Sequence, residues 1–97
     1  MKAELLFKDK YMYRDRAIRE MIIWQLPKAD KERPHCLKYR LFYGYPNKCL
    51  VRYDNERGKG DHRHYGNHEK NYIWISVQQL MADFKADIET LRGKHDE

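Results

Sequence analysis

Alternation of apolar and polar positions dominates the middle of the chain, and a helical repeat replaces it near the end. Residues 35–45 set Leu37, Tyr39, Leu41, Tyr43 and Tyr45 against Cys36, Lys38, Arg40, Phe42 and Gly44. That period of two predicts a strand with one aliphatic–aromatic face and one more basic face. Pro46-Asn47 reads as a tight turn, so residues 48–54 are expected to return antiparallel. With Tyr45 opposite Lys48, the register puts Leu41 opposite Arg52 and Tyr39 opposite Asp54. Arg52 and Asp54 are then expected to share a face with the three tyrosines.

Upstream, residues 16–26 form a second β-like run, with Ile18, Ile22, Ile23 and Trp24 supplying branched and aromatic side chains. Ile18, Glu20, Ile22, Trp24 and Leu26 share one face; Ala17, Arg19, Met21, Ile23 and Gln25 share the other, which is the more polar. A helix is the rival reading, because Arg19-Glu20-Met21 has good helix propensity. Residues 3–7 give a first strand, with a turn at Lys8-Asp9-Lys10 and a returning strand starting at Tyr11-Met12-Tyr13. Residues 27–34, charged and bounded by prolines, read as a loop.

Tyr72-Ile73-Trp74-Ile75 reads as a short strand or extended segment. Ser76 with Gln79 then makes a capping box. Val77, Leu80, Met81, Phe84, Ile88 and Leu91 follow helical spacing as one apolar stripe, and Gly93 ends the helix. Asp83, Asp87 and Glu89 are placed on its outer, solvent face. These elements predict a single α+β domain over residues 1–97: an antiparallel sheet of four or five strands in a meander, with one C-terminal amphipathic helix packed on one face. The other face is left to solvent, a second copy or a ligand.

Between Tyr53 and Ile73 no aliphatic or cysteine residue occurs, while His62, His64 and His68 fall there with Gly58, Gly60 and Gly66. Residues 55–71 therefore read as a long basic loop, a length that is usually functional or disordered. His35 and His95, outside it, read as solvated.

Composition adds bounds. Ninety-seven residues suffice for one core. No apolar run is long enough to span a membrane, and the charged start does not resemble a signal peptide, so a cytoplasmic protein is expected. The net charge of +5 is uneven: residues 1–50 hold 12 Lys/Arg against 6 Asp/Glu, and residues 51–97 hold 8 against 9. A basic half fits a polyanion-binding surface, and equally a soluble protein of high pI. Cys36 and Cys49 lie out of register with each other, since Cys49 falls opposite Gly44; both are read as reduced thiols.

Three pieces, Arg52-Tyr53-Asp54-Asn55, Lys59-Gly60-Asp61-His62-Arg63-His64 and the segment 76–84, resemble the TumE family of small toxin–antitoxin toxins. The resemblance runs over about residues 37–91. It implies a toxin partnered by a helix-turn-helix antitoxin.

The chemistry of residues 52–72 admits three readings. In the first, His62 and His64 act as base and acid in metal-independent RNA cleavage, with Arg52 and Asp54 as further catalytic candidates. Imidazoles suit both proton transfers at neutral pH, and guanidinium groups stabilise phosphorane charge. Arg57, Lys59 and Arg63 are the candidate phosphate contacts. Tyr39 and Tyr65 are candidates for stacking unpaired bases, and either Asp54 or Asp61 could orient an imidazole. In the second, His62 and His64, together with an aspartate and with His68 as a further candidate, bind a divalent metal. In the third, the region binds RNA or a partner without chemistry. The first reading needs no cofactor and no metal. RNA, the antitoxin and a second copy of the chain are the expected partners.

Overall fold

The structure is a computed structural model, described here for residues 2–56 and 58–93. Six strands run in chain order across one antiparallel sheet: β1 (Glu4–Met12), β2 (Ile18–Gln25), β3 (Leu37–Tyr45), β4 (Lys48–Asp54), β5 (His62–Tyr65) and β6 (His68–Asn71). One helix, α1 (Val77–Arg92), follows. The α+β class, the meander and the C-terminal helix match the sequence reading. The sheet has six strands rather than four or five.

The two extra strands come from the stretch expected to be loop. Tyr65 pairs with His68 across Gly66-Asn67, and Gly66 takes a φ of 60°, the left-handed backbone that tight hairpin turns demand. These strands escape a hydrophobicity-based reading because both are polar and β6 is exposed along its length. Residues 72–76 are extended but form no strand.

β1 also departs from expectation. It continues through Lys8-Asp9-Lys10, where Arg19 pairs with Asp9 at 3.1 Å and Lys10 lies 3.9 Å from Glu20. The chain reverses later, at residues 14–16, with Arg16 at φ 77° and the Asp15 carboxylate accepting the Ala17 N–H.

The helix-facing side of the sheet is the core. Met21, Ile23, Leu37, Tyr39, Leu41, Tyr43, Val51 and Tyr53 bury against Leu80, Phe84 and Ile88. In β2 it is therefore the more polar face that turns inward, with its apolar content concentrated in Met21 and Ile23 at the middle of the strand. Ser76 Oγ accepts the Gln79 N–H, and Gly93, at φ 84°, donates to the Glu89 carbonyl. Val77 and Met81 flank the buried stripe, whereas Leu91 is exposed. No described helix is long and apolar enough to cross a membrane.

One irregularity decides what faces where. The β3–β4 register holds at Tyr45/Lys48 and Gly44/Cys49, then slips, so that Tyr43 pairs with Val51, Phe42 with Arg52 and Arg40 with Asp54. The bulge lets Val51 and Tyr53 join Leu41 and Tyr43 in the core. It turns Arg52 and Asp54 to the opposite face, away from the tyrosines, against the sequence-derived register. Glycine is required at position 44 because a Cβ there would lie 2.2 Å from the Lys48 carbonyl oxygen. Cys36 and Cys49 are both free thiols, as expected.

Removing Phe84 or Ile88 side chains opens the core directly. Phe84→Ala should cost about 3–5 kcal/mol and Ile88→Ala about 2–5 kcal/mol in denaturant unfolding. Gly44→Ala should also destabilise, because the neighbouring carbonyl must move. An unchanged unfolding midpoint for Gly44→Ala would mean that the bulge does not hold the register.

Candidate active site

The face away from the helix carries two complete cross-strand rows. One runs Lys8, Ile22, Arg40, Asp54, His62, Asn71; the next runs Lys10, Glu20, Phe42, Arg52, His64, Glu69. Residues that pair directly across antiparallel strands point to the same side, so alternate positions of β4 and β5 bring Arg52, Asp54, His62 and His64 together. These are the four residues proposed from sequence as catalytic. Here they stand on rigid strands.

His62 is the innermost, 2% exposed. Its Nδ1 lies 2.9 Å from the Gly60 carbonyl oxygen, which can only accept, so this nitrogen carries a hydrogen. Its Nε2 lies 2.9 Å from Asp54 Oδ1. Asp54 is 3% exposed, and its other oxygen lies 2.9 Å from Arg52 Nε. Arg52 Nη2 reaches His64 Nε2 at 3.1 Å. A guanidinium only donates, so His64 receives that bond on a bare nitrogen and its hydrogen sits on Nδ1, 4.0 Å from Glu69 Oε1. Burial and the adjacent Arg52 charge hold His64 below the usual imidazole range. The two rings meet edge to face with centroids 5.0 Å apart.

Beside this group an open cleft of about 640 Å³ is lined by Arg33, Lys38, Arg40, Asp54 and Glu56, among others. Arg33 is spoken for by Asp30 at 2.7 Å, whereas Lys38 and Arg40 stand exposed. The sheet face thus presents cations leading to Asp54 and Arg52.

The proposed nucleic-acid contacts divide. Arg63 and Tyr65 point to the helix side. Arg63 donates to Tyr53 Oη at 3.0 Å and lies over the rings of Tyr53, Tyr65 and Tyr72; Tyr65 donates to Asp87. Tyr39 is 3% exposed and gives its hydroxyl to Asp61 at 2.6 Å, so its ring faces are unavailable to a base. Lys59 is exposed, 3.8 Å from Glu69 on the site side. Arg57 lies outside the described residues, as does His95.

Other expectations shift too. Asp83 and Asp87 do not form a free acidic face: Asp83 accepts from Tyr72, and Asp87 from Tyr53 and Tyr65. Burial and the Asp87 contact push the Tyr53 hydroxyl far above its ordinary range, so it remains a donor. His35 is not solvated. It bonds Asp61 at 3.1 Å and packs on Trp74 with centroids 4.1 Å apart, so Asp61 is committed there and not to the site.

Sequence reasoning passed over Asn55, Gly60 and Glu69 as site components. Asn55 is fully buried; its side chain accepts the Tyr39 N–H at 3.0 Å and donates to the Leu37 carbonyl at 2.7 Å. It substitutes for a strand partner where β4 ends and fixes the exit of the chain just after Asp54. The Gly66-Asn67 dipeptide was the available signal, because a hairpin there places Glu69 opposite His64.

The family model described as Toxin TumE matches residues 2–92 of this chain. No curated protein and no solved structure matches it.

The burial difference separates the two histidines in a stability experiment. Asn55→Ala strands two buried backbone groups and should cost about 1–3 kcal/mol. His62→Ala leaves the buried Asp54 carboxylate without its neighbour and should also cost more than about 1 kcal/mol, whereas His64→Ala should stay within about 1 kcal/mol. Thermal melts that rank His64→Ala as the more damaging would contradict this arrangement.

Proposed function

The chain belongs to the TumE toxin family, and from that premise we propose that it is the toxin of a toxin–antitoxin module, acting in the cytoplasm by metal-independent cleavage of RNA. The observation that carries this reading is the 3.1 Å contact between the Arg52 guanidinium and the bare Nε2 of His64, on an exposed cationic sheet face. Phosphodiester transfer to a neighbouring 2′-hydroxyl needs a base for that proton and a cation at the phosphate. These two groups converge on one point.

A phosphate entering along Lys38 and Arg40 draws Arg52 from His64 into a bidentate grip on its oxygens. His64 Nε2, released, takes the 2′-hydroxyl proton while the oxygen attacks phosphorus. Arg52 stabilises the charge that grows on the non-bridging oxygens. The 5′ oxygen leaves and is protonated at the solvent-open face. His62, held by its Nδ1 on the Gly60 carbonyl and with Nε2 2.9 Å from Asp54, is a positioning residue: it stands against Asp54, and Asp54 aims Arg52. That gives His62 a different part from the proton-transfer role expected from sequence.

The antitoxin partner must silence this face, and an acidic or extended segment laid over Lys38, Arg40 and Arg52 would do so. Silencing by that route makes toxin–antitoxin affinity steeply salt-dependent.

Purified protein incubated with total RNA should cleave it with EDTA present and leave 2′,3′-cyclic phosphate ends. His64→Ala and Arg52→Ala should each lower the rate by at least about 10²-fold. Lys38→Glu with Arg40→Glu should weaken both RNA binding and antitoxin association. Growth arrest that persists in cells while no RNA is cut would reject RNA as the target. Binding of RNA without cleavage would leave a non-catalytic RNA-binding module, the alternative function.

A further inference from the structure

His62 and Asp54 meet in a way that a hydrogen bond does not account for. Their facing atoms are 2.9 Å apart, yet Asp54 Oδ1 is buried and has hydrogen-bond geometry to no donor among the described residues. Nδ1 of His62 holds its hydrogen toward Gly60, so Nε2 is the nitrogen that faces Asp54 Oδ1, with Glu69 Oε2 3.6 Å away. Imidazole and carboxylate ligand atoms thus gather beside His64, whose Nε2 meets the Arg52 guanidinium. Atoms of these kinds suit a cation at the point of convergence. Ligand atoms of one tetrahedral zinc ion with bonds near 2.0 Å stand about 3.3 Å apart, a spacing close to that between His62 and Asp54.

We propose that Asp54 Oδ1, His62 Nε2 and His64 Nε2 form a binding site for a divalent transition ion of the zinc class, and that the ion and Arg52 compete for it. One ligand atom from each residue lies within 4.8 Å of the others. The outer contact of His62 is that of a metal-binding histidine, its other ring N–H donated to a backbone carbonyl; His64 Nδ1 faces Glu69 more distantly, at 4.0 Å. Mixed imidazole and carboxylate ligands suit zinc or cobalt better than magnesium or calcium, which prefer oxygen alone. Arg52 is the competitor because its guanidinium holds His64 Nε2 and Asp54 together, filling the cationic role without a metal. Its side chain is 32% exposed, so it can swing into solvent when an ion enters.

Binding stands independently of the RNA reading; only its consequence rests on that reading. An ion on His64 Nε2 removes the proposed base and displaces the phosphate-binding guanidinium, so zinc should inhibit cleavage and EDTA should restore it.

The test is titration of the chelator-treated full chain with Co²⁺, followed by visible absorption of the bound ion, and with Zn²⁺ by calorimetry. One equivalent should bind, and His64→Gln and Asp54→Asn should each weaken it by more than about tenfold. Arg52→Met should tighten binding, since a competing cation is gone. Circular dichroism of each variant checks folding; the His64 side chain is 13% exposed against 4% for Asp54, so His64→Gln disturbs the fold less than Asp54→Asn. Unchanged binding in folded His64→Gln, or weaker binding in Arg52→Met, would overturn the site. Cobalt binding with the expected signs in a protein that cuts no RNA would uphold the site and remove the RNA reading. Zinc that binds and stimulates cleavage would overturn the competition with Arg52.

Discussion

Between Tyr43 and Gly44 the β3–β4 ladder slips by one residue, and the side of the sheet on which Arg52 and Asp54 emerge follows from that slip. Strand side chains alternate with period two, so any change of register by one exchanges the faces. Without the bulge, Arg52 would oppose Leu41 in the core and Tyr53 would be lost from it. With the bulge, the apolar partners coincide and the charged ones are expelled together. Gly44 makes this possible because the Lys48 carbonyl occupies the space a side chain would need.

From there the two faces develop differently. On the helix side, Tyr53, Tyr65 and Tyr72 donate to Asp87 and Asp83, and Arg63 lies among their rings. The tyrosine–aspartate hydrogen bonds attach the helix to β4, β5 and the segment after β6, although Arg63 Nε is buried without a hydrogen-bond partner among the described residues. On the open side the charges form a short chain. Asp54 is shared between His62 and Arg52, and Arg52 in turn holds His64. The order of burial, from His62 and Asp54 outward to Arg52, means that the inner pair sets position while the outer groups remain able to move.

That difference explains why one cluster supports two lines of inference. A guanidinium occupies a place where imidazole and carboxylate lone pairs converge. Against a phosphate it acts as an anion clamp; against a transition ion it is a rival. Both uses depend on Arg52 being mobile and on Asp54 and His62 being fixed, and the burial of each residue is consistent with that division.

From the sequence alone came the elements that hydrophobic pattern can specify: β2, β3, β4, the capped helix and the meander; Arg52, Asp54, His62 and His64 were candidates by residue type, and the fold brings them to one face. The apolar alternation of β3 and the stripe of α1 are strong because burying them requires one period and no other. The β5–β6 hairpin was not legible in this way, since its polar strands are held by backbone pairing to β4 and carry no apolar stripe. Nor were the roles of Asn55 and His35, which depend on groups 16 to 26 residues distant in sequence. The β3–β4 bulge was implicit in the need to match Val51 and Tyr53 with Leu41 and Tyr43, but only packing against the helix enforces that match. Tertiary structure alone decided that Arg63, Tyr65 and Tyr39 would leave the site: neighbours in a strand point to opposite faces, and a face has an identity only once something is packed against it.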